Sequence, residues 1–170
     1  MLLGLVGSEM CIRDSANPSF WHAAKRNKSS ELLKTLSDSG GILGLSLYPH
    51  HLKDNTNCSL ESFCEMVAKT AEIMDINNIG IGSDLCLNQP DEVVEWMRNG
   101  TWSKNKNYGE GSKNKPGFPK QPYWFEDARG FKNLEIGLKK VGFSESETNG
   151  ILGNNWYCLL YTSPSPRDQE

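Results

Sequence analysis

The chain has 170 residues, with 18 Lys and Arg against 21 Asp and Glu and 37% hydrophobic residues. Its length suits a single domain on the usual scale of roughly 100–200 residues per domain. The near-neutral charge gives no electrostatic footing for nucleic acid or an anionic membrane, and no apolar run in the sequence approaches the roughly 18 residues of a membrane span.

In chain order, the first segment is set apart from the rest. Leu5–Ser15 reads LVGSEMCIRDS and Cys158–Asp168 reads CLLYTSPSPRD. Back-translated, the two strings come from complementary strands of one piece of DNA, which resembles the transposase-end adapter of sequencing libraries. Residues 1–15 and 158–170 are therefore expected to be adapter-derived and are set aside in reasoning about the fold. The short apolar start MLLGLVG lies in that leader, lacks a basic flank and is rejected as a secretory signal. Residues 16–157 remain, closer still to neutrality, as the expected C-terminal fragment of a longer protein. Without the parent's own N-terminus the compartment stays open between a cytoplasmic and an exported microbial enzyme.

Ser29–Ser37 reads as a helix with Leu32, Leu33 and Leu36 on one face and Gly40–Gly41 as its stop. Ile42–Leu47 (ILGLSL) is a short apolar run suited to a strand covered on both faces, ended by Tyr48-Pro49. Ser59 is a good N-cap for a helix carrying Leu60, Phe63, Cys64, Val67, Ala71 and Met74 at helical spacing. Asn78–Gly82 (NIGIG) gives a second buried strand, which delivers Ser83 and Asp84 at its end. A short helix is expected over Asp91–Arg98. Thr101–Pro122, rich in Lys, Asn, Gly and Pro, reads as a long surface insertion. Phe131–Val141 is a helix stopped by Gly142, and Ser144 to Glu147 has capping-box spacing before a last short helix with Ile151 and Leu152. Helix, strand, helix, strand, helix implies an α/β fold with a parallel pair joined by a crossover. Two strands make only one edge of a larger sheet or barrel.

Outside the terminal segments the cysteines are Cys58, Cys64 and Cys86, an odd number without a C-x-x-C pair, so neither a zinc knuckle nor a disulfide framework is expected. Cys64 should pack as a small hydrophobe. His22, His50 and His51 form no H-x3-H or H-E-x-x-H pair, so the sequence holds no self-contained metal site; they read as loop or packing residues. Phe20-Trp21 and Tyr123-Trp124-Phe125 read as core aromatics.

Functional groups in parallel α/β folds gather where strands end. That rule selects Tyr48 with His50 and His51 after the first strand, and Asp84 after the second. Gly80, Gly82 and Ser83 beside Asp84 are small and allow close approach of backbone or ligand. Two readings of Asp84 stand: it caps the next turn, or it binds a cation or amine and accepts a proton from a metal-bound water. Arg26, before the first helix, has the planar two-pronged donor that suits a substrate carboxylate; the plainer reading is a solvated arginine.

The residues ANPSFWHAAKRNKSSELLKTLSDSGGILGLSLYP, IGIGSD and NLEIGLKKVGFSESETNGILGNNWY together resemble the C-terminal part of the membrane dipeptidase (renal dipeptidase) family of zinc peptidases. The resemblance implies a (β/α)8 TIM-type barrel of the metal-dependent hydrolase kind, two zinc ions bridged by a glutamate and a water, hydrolysis of dipeptides by metal-activated water, and a homodimer as an oligomeric state open to the parent. It makes Asp84 the aspartate at the end of the last barrel strand, where it would meet the bridging water or the dipeptide's amine. It makes Arg26 the anchor of the dipeptide's carboxylate and places Tyr48 at the pocket wall. The family's last metal-binding histidine stands eleven residues before that arginine, which falls on Ser15, and the other ligands lie further upstream. No metal ligand is therefore assigned here, and the chain alone is expected to be inactive. The departure is after the aspartate: typical members read D-F-D-G, this chain reads Asp84-Leu85-Cys86-Leu87. Two alternatives remain: another metal-dependent amidohydrolase-like barrel enzyme, and a non-catalytic binding protein on the same scaffold.

Overall fold

A computed structural model describes residues 15–85, 87–99 and 119–162. Cys86, residues 101–118 of the expected insertion, and the terminal segments apart from Ser15 and residues 158–162 lie outside the described residues. The elements in chain order are α1 (Ser30–Asp38), β1 (Leu43–Ser46), α2 (Leu60–Ala71), β2 (Ile79–Gly82), α3 (Asp91–Asn99), α4 (Phe131–Lys140), α5 (Glu145–Asn149) and α6 (Asn155–Thr162). A π-helical turn over Gly150–Asn154 joins the last two, with a kink at Gly153. The sequence reading expected one short helix there.

The helix starts are those the sequence marks. Ser29, Ser59 and Ser144 each accept a hydrogen bond from a backbone N–H of the first turn, and Ser144 with Glu147 completes a reciprocal capping box. Gly40 and Gly142, at φ +75° and +109°, carry the chain out of α1 and α4 through the left-handed region where a Cβ is costly.

β1 and β2 pair in parallel with Leu43 opposite Ile79, Gly44 opposite Gly80, Leu45 opposite Ile81 and Ser46 opposite Gly82. Ser15 adds a parallel bridge to Gly44, and the Ala16 N–H donates to the Gly44 carbonyl at 2.9 Å, so a third strand position lies beside β1. Side chains alternate across a sheet, which gives it two different faces. One carries Leu43, Leu45, Ile79 and Ile81, all in the main hydrophobic core. The other carries Gly44, Ser46, Gly80 and Gly82. A methyl built on Gly80 would fall 2.2 Å from Trp156 Nε1, and one on Gly82 would fall 2.3 Å from Ser15 Oγ. What approaches the small residues of NIGIG is thus an indole from α6 and the Ser15 hydroxyl. Asn155 fastens α6, donating from Nδ2 to the carbonyls of Ile76 and Ile79 at 2.8 Å each.

The helix side of the core holds Phe63, Cys64, Met66 and Val67 of α2 against Leu134 and Leu138 of α4. Gly137 lets the two helices close: a methyl there would lie 2.6 Å from Cys64 Sγ. Cys64 packs as the small hydrophobe expected. Beyond the insertion the chain returns to this core through Trp124 and Phe125, both buried, with Trp124 Nε1 donating to the Cys58 carbonyl at 2.7 Å. Tyr123, read as a third core aromatic, is instead 74% exposed, and Phe20 is exposed as well. Each of these clusters alternates between a core-facing and a solvent-facing ring. Among the described residues no helix is long and apolar enough to cross a membrane.

Candidate active site at the strand ends

Both strands end on the same side of the molecule, because they are parallel and in register at Ser46 and Gly82. The loop that follows β2 turns sharply: Asp84 has φ +47°, a left-handed conformation unusual for a residue with a Cβ and held only where surroundings fix it. The fixing contact is on the page. Ser46 Oγ donates to Asp84 Oδ2 at 2.8 Å, joining the ends of the two strands through side chains. Asp84 itself is exposed, so its carboxyl stands at the surface while its partner is buried.

Ser46 is fully buried and central. Its Oγ also lies 2.8 Å from His51 Nδ1 and accepts from the Tyr48 N–H at 3.1 Å. His51, 5% exposed, sits in the short 3-10 turn Pro49–His51 that follows β1. The Tyr48 ring is half-buried and meets the His51 ring edge-on, with centroids 5.0 Å apart. Tyr48 is thereby brought to the same corner as Asp84.

The loop that carries Arg26 is anchored to that corner by two asparagines. Asn17, fully buried, donates from Nδ2 to the carbonyls of Ser46 and His51 at 3.0 and 3.1 Å and accepts from the Ser46 N–H at 2.9 Å. Its side chain continues the sheet where no backbone strand is present. Asn27, next to Arg26, donates to the His22 and His51 carbonyls and accepts from the Asn17 N–H. Arg26 is exposed on this fastened loop. The three residues expected from the sequence, Arg26, Tyr48 and Asp84, therefore belong to one corner of the fold, at the C-terminal ends of the strands. Sequence reasoning missed Ser46, Asn17 and Asn27 and gave His51 only a packing role. Ser46 had a signal, as the one hydroxyl in an otherwise apolar strand run.

An open groove of about 690 Å³ lies nearby, lined in part by Asn57, Leu87, Asn88, Lys120 and Tyr123. None of the three expected site residues lines it. Among the described residues no three His, Cys, Asp or Glu side chains come together where they could hold a metal ion. Burial pushes the thiols of Cys58 and Cys64 up to about 11 and about 12, which keeps both protonated and poor as nucleophiles or ligands.

No family model matches the chain, and no curated protein does. Solved structures do. An amidohydrolase from Pseudomonas aeruginosa superposes with a TM-score of 0.74 at 25% identity, covering 90% of this chain and 48% of its own. The dipeptidase AC, a metallopeptidase, gives 0.64 at 18% identity, covering 88% and 36%. A metallopeptidase from Rhodobacter sphaeroides, liganded with a phosphinate mimic of the dipeptide L-Ala-D-Ala, gives 0.63 at 17%, covering 86% and 34%. The chain spans less than half the length of each. Its structural neighbours thus include dipeptidase-type metallopeptidases and an amidohydrolase, in keeping with the family its sequence resembles, and it corresponds to a fragment of such a protein.

Proposed function

We propose that the chain is the C-terminal part of a (β/α)8 barrel hydrolase that cleaves dipeptides, and that it supplies the substrate-handling groups. The observation that carries this reading is the exposed Asp84 carboxylate held at a strand end by a buried hydroxyl, where parallel α/β proteins place their working groups. Asp84 holds the dipeptide's amine or moves a proton at the scissile bond. Arg26 receives the terminal carboxylate, to which a guanidinium can give two parallel hydrogen bonds. Tyr48 forms part of the pocket wall.

The two zinc ions implied by the resemblance find no ligand set among the described residues, and no step is routed through them here. Ser15 marks where one ligand of the parent would stand. Its hydroxyl lies against Gly82, on the same face of the sheet as Ser46, so a histidine at that position would start from the face that leads to Asp84. This placement supports assigning the metal to residues outside this chain.

The test is steady-state kinetics on a longer chain in which the barrel strands preceding Ser15 are restored. Arg26→Ala is expected to raise KM for dipeptides by about 10- to 100-fold with a smaller change in kcat, because it removes a charge-assisted anchor. Asp84→Asn is expected to lower kcat by about 100-fold or more. A second reading, an amidohydrolase acting on a cyclic amide, is favoured by the superposition on the Pseudomonas aeruginosa amidohydrolase. An unchanged KM in Arg26→Ala would select it, since a cyclic amide offers no terminal carboxylate.

A further inference from the structure

We infer that Ser46 and His51 are positioning residues for Asp84, forming a directed hydrogen-bond chain from the buried imidazole through the hydroxyl to the carboxylate. The inference rests on the reading of Asp84 as the working carboxylate and adds the two residues that aim it.

The direction follows from counting protons and lone pairs. A serine hydroxyl has one hydrogen to give and two lone pairs to receive. Three groups meet Ser46 Oγ: Asp84 Oδ2 at 2.8 Å, His51 Nδ1 at 2.8 Å and the Tyr48 N–H at 3.1 Å. An ionised carboxylate only accepts, so the single hydroxyl hydrogen goes to Asp84. A backbone N–H only donates, so Tyr48 takes one lone pair. The contact that remains joins the second lone pair to His51 Nδ1, which must then carry a hydrogen. Every capacity of Ser46 is used, and none can be reversed without leaving a buried polar group unpaired, which is costly at a residue with no solvent contact.

The chain is also rigid at its far end. The His51 carbonyl accepts from both Asn17 and Asn27, and the His51 ring lies edge-on to Tyr48. The imidazole is fixed in place and in tautomer, and Ser46 passes that constraint to Asp84 Oδ2. The carboxyl is thereby stopped from turning about its Cβ–Cγ bond, although Asp84 is exposed and sits in a left-handed backbone conformation. A carboxylate that must meet a substrate amine or a proton at one fixed point gains from that restraint.

The experiment reads the His51 tautomer by long-range 15N NMR on the 170-residue chain at neutral pH, without substrate. In the unsubstituted chain the Nδ1–H form is expected to exceed the Nε2–H form by about tenfold. Ser46→Ala removes the acceptor and should return His51 to a majority of Nε2–H. Asp84→Gly keeps the fold, since glycine accepts the left-handed backbone, and frees the Ser46 hydrogen to turn towards Nδ1; the same shift is expected, so the test survives if Ser46→Ala does not fold. A His51 that carries Nε2–H in the unsubstituted chain, or a tautomer unmoved by Asp84→Gly, overturns the inference. The readout needs no turnover. A responsive tautomer beside a restored longer chain that leaves dipeptides intact would retire the dipeptidase reading and leave the positioning chain standing.

Discussion

Asn17 shows how much of the site is built from single side chains. Its carboxamide makes three hydrogen bonds to the backbone at the end of β1, and it is fully buried. Asn17→Ala would strand the Ser46 N–H and two carbonyls away from water. At roughly 1 kcal/mol per bond, with a larger share for the orphaned donor, the loss should be about 3 kcal/mol. A urea melt of the variant checks this, and a loss below about 0.5 kcal/mol would mean that water replaces the carboxamide. Residues of this kind are hard to read in a sequence. Asp84 and Tyr48 were legible because a rule about strand ends points to positions. Asn17 and Ser46 act through partners up to 38 residues away along the chain, and no local pattern records such a partner. The hydroxyl in ILGLSL was visible, but not what it bonds.

At the scale of elements, the helices were legible because their apolar spacing and serine caps are local. The two faces of the sheet were less so: ILGLSL and NIGIG read as strands buried on both sides, while only the structure distinguishes a leucine-isoleucine face from a glycine-serine face covered by Trp156. Close approach at these glycines sets a prediction. Gly80→Ala would place a methyl 2.2 Å from the Trp156 indole nitrogen, and Gly137→Ala would place one 2.6 Å from Cys64 Sγ. Each should cost about 1–3 kcal/mol through overpacking. Gly80→Ala should in addition break the Trp156 Nε1 hydrogen bond to Ile81, now 3.2 Å, and red- or blue-shift the indole emission; unchanged emission would mean that α6 shifts as a unit. The buried thiols give a second prediction. Their pKa values rise on folding, from 9.0 to about 11 for Cys58 and about 12 for Cys64, so the folded state holds these protons more tightly than the unfolded chain. Their contribution is fully present below pH 9 and is lost as pH rises from 9 through 11 and 12. Stability measured across that range should fall, and alkylation of the native chain at pH 8 should spare Cys58 and Cys64 while the exposed Cys158 reacts.

The whole molecule is a parallel pair of strands with helices on one face and a single indole over much of the other, and it spans less than half the length of the solved structures it resembles. Two strands and a bridging Ser15 bring Asp84, Tyr48 and the Arg26 loop to one corner, yet no three potential ligands converge among the described residues. Substrate handling and metal holding are thus divided: the first lies in this chain, and the second is assigned to residues beyond it. The division is tested most directly by incubating the 170-residue chain with zinc and a dipeptide, beside the longer chain carrying the preceding strands. The account predicts no hydrolysis by the first and turnover by the second; sustained, zinc-dependent hydrolysis by the 170-residue chain alone would contradict it.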